Sequence, residues 1–175
     1  RRSSDLEGLQ YATSAEMIDI CYTANIEGKR IASVEPLAPL AQLEILYLKQ
    51  NGISDISPLK ELINLRQLDV SGNYEIKDIS SVTDMDKLET LDISINSVSD
   101  LSPVAGLESL ERMNASSNQL TWLPDMSGMT SLKALDLSKN QLTDVSALAG
   151  LSGLQELNLS GNDSLTDVRT LSGLT

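Results

Sequence analysis

Asparagine stands at positions 51, 73, 96, 118, 140 and 162, so successive members are 22, 23, 22, 22 and 22 residues apart. Aliphatic residues keep fixed places around each one. In the most regular stretch, Leu132–Gly153, the positions Leu132, Leu135, Leu137, Asn140, Leu142, Val145, Leu148 and Leu151 are separated by 3, 2, 3, 2, 3, 3 and 3 residues. A helix repeats its apolar positions every ~3.6 residues and a simple strand every 2. Neither period lasts here, so each unit is read as a coil that leaves as a short strand and returns through a tight three-fold turn. Self-similarity at a fixed period describes a stack in which each coil touches only its neighbours.

Six units begin at Leu43, Leu65, Leu88, Leu110, Leu132 and Leu154. The longer unit has Tyr74-Glu75-Ile76 after Asn73 where the others have a single spacer, and Asn162-Asp163-Ser164-Leu165 repeats that exception. Leu6, Leu9, Ala12, Ala15, Ile18 and Ile20 match the spacing of Ile56, Leu59, Leu62, Leu65, Leu68 and Val70. Residues 1–14 are therefore expected to be the return half of a repeat, with a seventh coil starting at Ala15 and Thr23 at the Asn position. Its strand would be Ile18-Asp19-Ile20, with six extra residues within Ala24–Arg30 before Ile31, Val34, Leu37 and Leu40 resume the pattern. A rival register places that strand at Ala24–Ile26 with Lys29 at the Asn position; the first is preferred because it also explains residues 6–12.

The spacing L-x-x-L-x-L-x-x-N-x-L resembles the leucine-rich repeat over nearly the whole chain. The 22-residue unit and segments such as Asp55-Ile56-Ser57-Pro58-Leu59 are similar to the internalin-type repeats of bacterial surface proteins. Gly8-Leu9-Gln10-Tyr11-Ala12-Thr13 resembles the lead-in to such arrays. The resemblance implies an α/β solenoid: a right-handed horseshoe with short parallel strands on the concave face and 3₁₀ turns and loops on the convex face. It is read as one domain over residues 1–175, and as a fragment of a longer array whose end strands are free to associate end to end.

Much of the repeat is scaffold. The Asn amide can donate to and accept from loop backbone that would otherwise be buried unpaired. Asp55, Asp78, Asp100, Asp144 and Asp167 precede the convex turns; Ser57, Ser80, Ser102 and Ser146 stand where a hydroxyl can cap them. Pro58 and Pro103 suit the start of such a turn.

Composition narrows the function. A formal charge of −12 disfavours duplex nucleic acid and anionic membrane, leaving neutral or basic partners. Histidine is absent, and with it His-based triads and the usual zinc ligand. Cys21 is the single cysteine, so no internal disulfide forms. There is no phosphate-binding Gly-rich loop, no cofactor motif and no apolar run of spanning length, so neither an enzyme nor an inserted membrane protein is expected.

Function is then sought on the outward positions of the strands. The central column reads Asp19, Tyr47, Asp69, Asp92, Asn114, Asp136 and Asn158. Before it run Met17, Ile45, Gln67, Thr90, Arg112, Ala134 and Glu156, and after it Cys21, Lys49, Ser71, Ser94, Ser116, Ser138 and Ser160. The Asp ladder suits a solvated acidic face better than Ca²⁺, since carboxylates on strands ~4.8 Å apart on an open sheet do not wrap six to eight ligands around an ion.

The departures carry more information. Met17, Cys21, Tyr22, Ile45 and Tyr47 gather on the first two coils with Lys49 beside them, either as a partner site or as a surface that a preceding element covers. Trp122 replaces the Asp before the turn, and Pro124 replaces the Ser. Trp122 either folds over the coil edge against Met126 or Met129 or anchors a contact on the flank. The expected partner-binding set is Met17, Tyr22, Ile45, Tyr47, Lys49, Arg112 and Trp122. The resemblance implies an extracellular or bacterial cell-surface module that binds a protein on the concave face. A structural spacer arm, or a cytoplasmic regulatory scaffold similar to phosphatase-regulating leucine-rich-repeat proteins, remains open.

Overall fold

A computed structural model of the chain describes residues 6–22 and 30–173. Seven strands of three residues each form one parallel sheet in chain order. They are β1 (Met17–Asp19), β2 (Ile45–Tyr47), β3 (Gln67–Asp69), β4 (Thr90–Asp92), β5 (Arg112–Asn114), β6 (Ala134–Asp136) and β7 (Glu156–Asn158). Each coil returns to the next strand through the opposite side, where 3₁₀ turns lie at Glu35–Leu37, Ser57–Glu61, Ser80–Val82, Ser102–Val104, Ser146–Leu148 and Arg169–Gly173. The sheet is open, and no α-helix occurs among the described residues.

Register follows from the inward residues. Ile18, Leu46, Leu68, Leu91, Met113, Leu135 and Leu157 face one another across the sheet. The strand of the first coil is Met17–Asp19, one residue earlier than the expected Ile18–Ile20, and it pairs with Ile45–Tyr47 so that Ile18 stands against Leu46 in the preferred of the two registers. The rival strand Ala24–Ile26, with Lys29, and Thr23 at the Asn position lie outside the described residues. Ile31, Val34, Leu37 and Leu40 are buried where the pattern resumes.

The Asn column closes the far end of each strand. Asn118 Nδ2 donates to the carbonyls of Ile93 (3.0 Å), Ala115 (3.1 Å) and Ser116 (3.3 Å), while its Oδ1 accepts from Val98 N–H at 2.9 Å. One side chain thus satisfies backbone of its own coil and of the preceding one. Asn140 repeats this, with Oδ1 accepting from Leu120 N–H. The bend that brings each Asn inward needs a left-handed residue just before it. Gln50, Gly72, Ile95, Ser117, Lys139 and Gly161 all have φ between 53° and 70°. Glycine enters this conformation freely, whereas β-branched Ile95 is a true outlier there.

The extra residue of the third full coil disturbs this ladder. Tyr74 takes φ 67°, its N–H donates to Ile95 C=O at 3.2 Å, and Asn96 Oδ1 is left buried without a partner. Deleting Tyr74 restores the 22-residue spacing. The expected result is a gain of about 1–3 kcal/mol in urea unfolding, since an unpaired buried acceptor regains its donor and a strained residue disappears.

The convex turns are held by the aspartates rather than by serine hydroxyls. Asp55, Asp78, Asp100 and Asp144 Oδ1 accept from the N–H of Ser57, Ser80, Ser102 and Ser146 at 2.7–2.8 Å. The turn residues themselves carry no side-chain cap. These backbone and side-chain hydrogen bonds favour the ionised form and hold the Asp55, Asp100, Asp125 and Asp144 carboxyls below the usual range. A carboxyl depressed in the folded chain binds protons more readily when unfolded. The stabilisation is therefore complete above the ordinary value of about 3.9 and is lost as pH falls through the lower folded values. Thermal melting should be level above pH about 5 and fall below about 4, and Asp→Asn at these four positions should reduce that acid-side slope.

Candidate functional site

With the inward residues fixed, the strands present two columns to the concave face. Met17, Ile45, Gln67, Thr90, Arg112, Ala134 and Glu156 lie side by side, and so do Asp19, Tyr47, Asp69, Asp92, Asn114, Asp136 and Asn158. The expected third column is different. Ser71, Ser94 and Ser138 are buried, because the chain has begun its turn inward two residues after the strand. Their backbone N–H groups are taken by Asp69, Asp92 and Asp136 Oδ1 at 2.8–2.9 Å. The Asp/Asn column is thus part of the fold: each side chain fastens its own bend while its second oxygen or its amide faces the concavity.

Coils one and two depart from this pattern. Met17 is 54% exposed beside half-buried Ile45, and the Tyr47 hydroxyl donates to Gln67 Oε1 across to β3. That bond holds the tyrosine ring over the sheet, so its rotamer is set before any partner arrives. Lys49 is half-buried just beyond, and its carbonyl accepts from Tyr22 N–H at 2.9 Å. Tyr22 stands on the sheet edge at φ 57° and 60% exposure, beside the patch rather than within it. Cys21 lies between them. Partial burial, then the hydrogen bond to Asp19, pushes its thiol up to about 11, which leaves it protonated and a poor nucleophile at neutral pH.

Arg112 and Trp122 sit apart from this cluster. Arg112 projects from β5 into a hollow of about 610 Å³ over β4–β7, three strands away from Tyr47. It has no ion-pair partner among the described residues, whereas Arg66 on the outer margin pairs with Glu44 and Glu89. Trp122 is 48% exposed on the flank, while Met126 and Met129 are core residues of the same coil. Pro124 has no N–H to offer a capping carboxylate, so Asp gives way to Trp at 122. The cap moves three residues on, where Asp125 accepts from Ser127 N–H at 2.9 Å. That coil has no 3₁₀ turn between β5 and β6.

Three exposed features escaped the spacing argument. Tyr74 (57% exposed) and Ile95 (41%) adjoin on the edge loops, and the hollow around Arg112 is formed by side chains of four neighbouring strands. The doubled spacer at Tyr74 was the only sequence signal for the first two.

This geometry defines an open solenoid of stacked strand-and-turn coils whose concave face is formed by the outward columns of its strands. The profile described as Leucine Rich repeats (2 copies) matches residues 41–84 and 130–173, about half of the chain. The chain belongs to the leucine-rich-repeat proteins. Among solved structures it is similar to internalin C2 from Listeria monocytogenes, with 27% identity and a TM-score of 0.88 over 99% of this chain and 73% of that one. A second Listeria monocytogenes internalin shares 29% identity with a TM-score of 0.65, over 89% of this chain and 51% of that one. A leucine-rich-repeat protein of Leptospira interrogans shares 25% identity with a TM-score of 0.78, over 87% of this chain and 38% of that one. The chain is therefore internalin-like and spans about half or less of the last two. No curated protein matches it. Proteins of this fold commonly mediate protein–protein interaction and are typically non-enzymatic. Among the described residues, no helix is long and apolar enough to cross a membrane.

Proposed function

We propose that the chain is the partner-recognition module of a bacterial surface or secreted protein, engaging a protein through its concave sheet. The observation that carries this reading is the apolar cluster of Met17, Ile45 and the tethered Tyr47 on a sheet whose other outward positions are polar or charged apart from Ala134. Exposed Met17 and half-buried Tyr47 on preformed strands bind with little ordering entropy, because the backbone is fixed and the ring already held. Lys49 supplies a cation at the margin, and the net charge of −12 favours a neutral or basic partner surface. Location outside the cytoplasm rests on the likeness to internalins.

A second reading places contact on the flank, where Trp122 is half exposed beside a rebuilt turn. The two separate by mutation. With a partner captured by the wild-type chain, the Met17→Ala/Tyr47→Ala double variant should bind about 30–100-fold more weakly, in line with ~2–3 kcal/mol for a hot-spot pair. Trp122→Ala should lose less than about fivefold. Unchanged melting shows that the fold is intact. Undiminished binding by the double variant would remove the concave reading, and a larger loss from Trp122→Ala would move the site to the flank.

A further inference from the structure

The hollow over β4–β7 lies on the same concave face but has a different chemistry from the patch around Tyr47. Arg112, Ala134 and Glu156 stand side by side on β5, β6 and β7. Strands ~4.8 Å apart put the outer two Cα atoms roughly 10 Å from each other, with the methyl of Ala134 as the low ground between them. Asp136 stands on β6 beside that ground, its Oδ1 holding Ser138 N–H and its Oδ2 taking one amide hydrogen of Asn158 at 3.0 Å. Asp92 is tied similarly by Ser94 N–H and Asn114. Both carboxylates are thus fixed, and each retains lone pairs toward the hollow. Arg112 has neither Glu156 nor Asp136 as an ion-pair partner.

Resting on the concave reading, we infer that this hollow seats an extended polypeptide segment of the partner bearing one basic and one acidic side chain on the same face. The basic group lies against Asp136 and Glu156, and the acidic group pairs with Arg112. Charge complementarity selects this occupant: three carboxylates and one guanidinium line the space, so a purely acidic segment is repelled and a purely basic one leaves Arg112 unanswered. Its size agrees, since about 610 Å³ lies within the range that admits several ligand groups. In an extended segment, residues i and i+2 point the same way, about 6.7 Å apart, and long side chains splay from there to the two walls.

The test uses four labelled ten-residue peptides, capped at both ends, with Lys-Ser-Asp, Lys-Ser-Ser, Ser-Ser-Asp or Ser-Ser-Ser at the centre of a common sequence. Fluorescence anisotropy with the whole chain at low salt should rank Lys-Ser-Asp at least tenfold tighter than Lys-Ser-Ser. Arg112→Ala should abolish that difference by weakening Lys-Ser-Asp, while Lys-Ser-Ser binds no more weakly than before and gains if anything from the loss of a like charge. Ala134→Gln, which raises the low ground, should weaken Lys-Ser-Asp tenfold or more at an unchanged melting temperature. Equal binding of the two Lys peptides, or a preference that survives Arg112→Ala, would overturn the inference by reducing the hollow to a general acidic surface. Met17→Ala/Tyr47→Ala lies outside the hollow and should leave the peptide ranking intact. A failed ranking with partner capture still dependent on Tyr47 therefore removes this inference alone.

Discussion

Asn118→Ala is expected to destabilise the chain by about 3–5 kcal/mol in urea unfolding, and Asn96→Ala by about 1–3 kcal/mol less. The two side chains make a controlled pair. Both are buried, and each donates through Nδ2 to three carbonyls, Asn118 to Ile93, Ala115 and Ser116 and Asn96 to Val70, Ile93 and Ser94. Only Asn118 also accepts, from Val98 N–H at 2.9 Å; Asn96 Oδ1 has no partner. Truncation of either strands carbonyls. Truncation of Asn118 additionally strands a buried amide donor, worth about 1–3 kcal/mol. Asn118→Asp should be at least as damaging as Asn118→Ala, because a carboxylate oxygen would face the carbonyls that the amide now serves. Equal losses at 96 and 118 would show that the accepting half of the ladder contributes nothing.

The second large effect belongs to the stack. Leu91→Ala should cost about 3–5 kcal/mol and Leu157→Ala about 1–2 kcal/mol, although both are the central residue of their strands. Leu91 is 1% exposed, with Leu68 on one side and Met113 on the other. Leu157 has Leu135 on one side only and is half-buried. In a solenoid a residue's worth is set by how many neighbouring coils bury it, so a cavity in the middle loses contacts in three coils. Urea midpoints of the two variants measure the difference directly.

The fold was almost wholly legible because burial and hydrogen bonding are both periodic. The strand columns, the Asn ladder and the first coil's strand near Ile18 all follow from spacing. What spacing could not show is where a backbone bond replaces a side-chain one. Ser57 and its equivalents receive the cap through their N–H, and the cap at Asp125 shifts because Pro124 has no N–H to give. The serines after each strand alternate in sequence as outward residues, yet the left-handed bend at Ile95 or Lys139 turns their neighbours in. For the site, sequence placed Met17, Ile45 and Tyr47 together. It also set Arg112 on a later coil, but it did not show the hollow beside Arg112, because the depth of a hollow depends on how far neighbouring side chains rise from the sheet and spacing alone does not give that.

Hydroxyl-radical footprinting of the chain, free and with its captured partner, addresses the concave face most directly, since methionine and aromatic side chains are its best reporters. Met17 and Tyr47 should lose most of their oxidation on binding, while Tyr11, 82% exposed on the lead-in turn, and Trp122 on the flank should keep theirs. Protection of Tyr74 and Trp122 with Met17 and Tyr47 still oxidised would contradict concave recognition and place the partner on the edge loops.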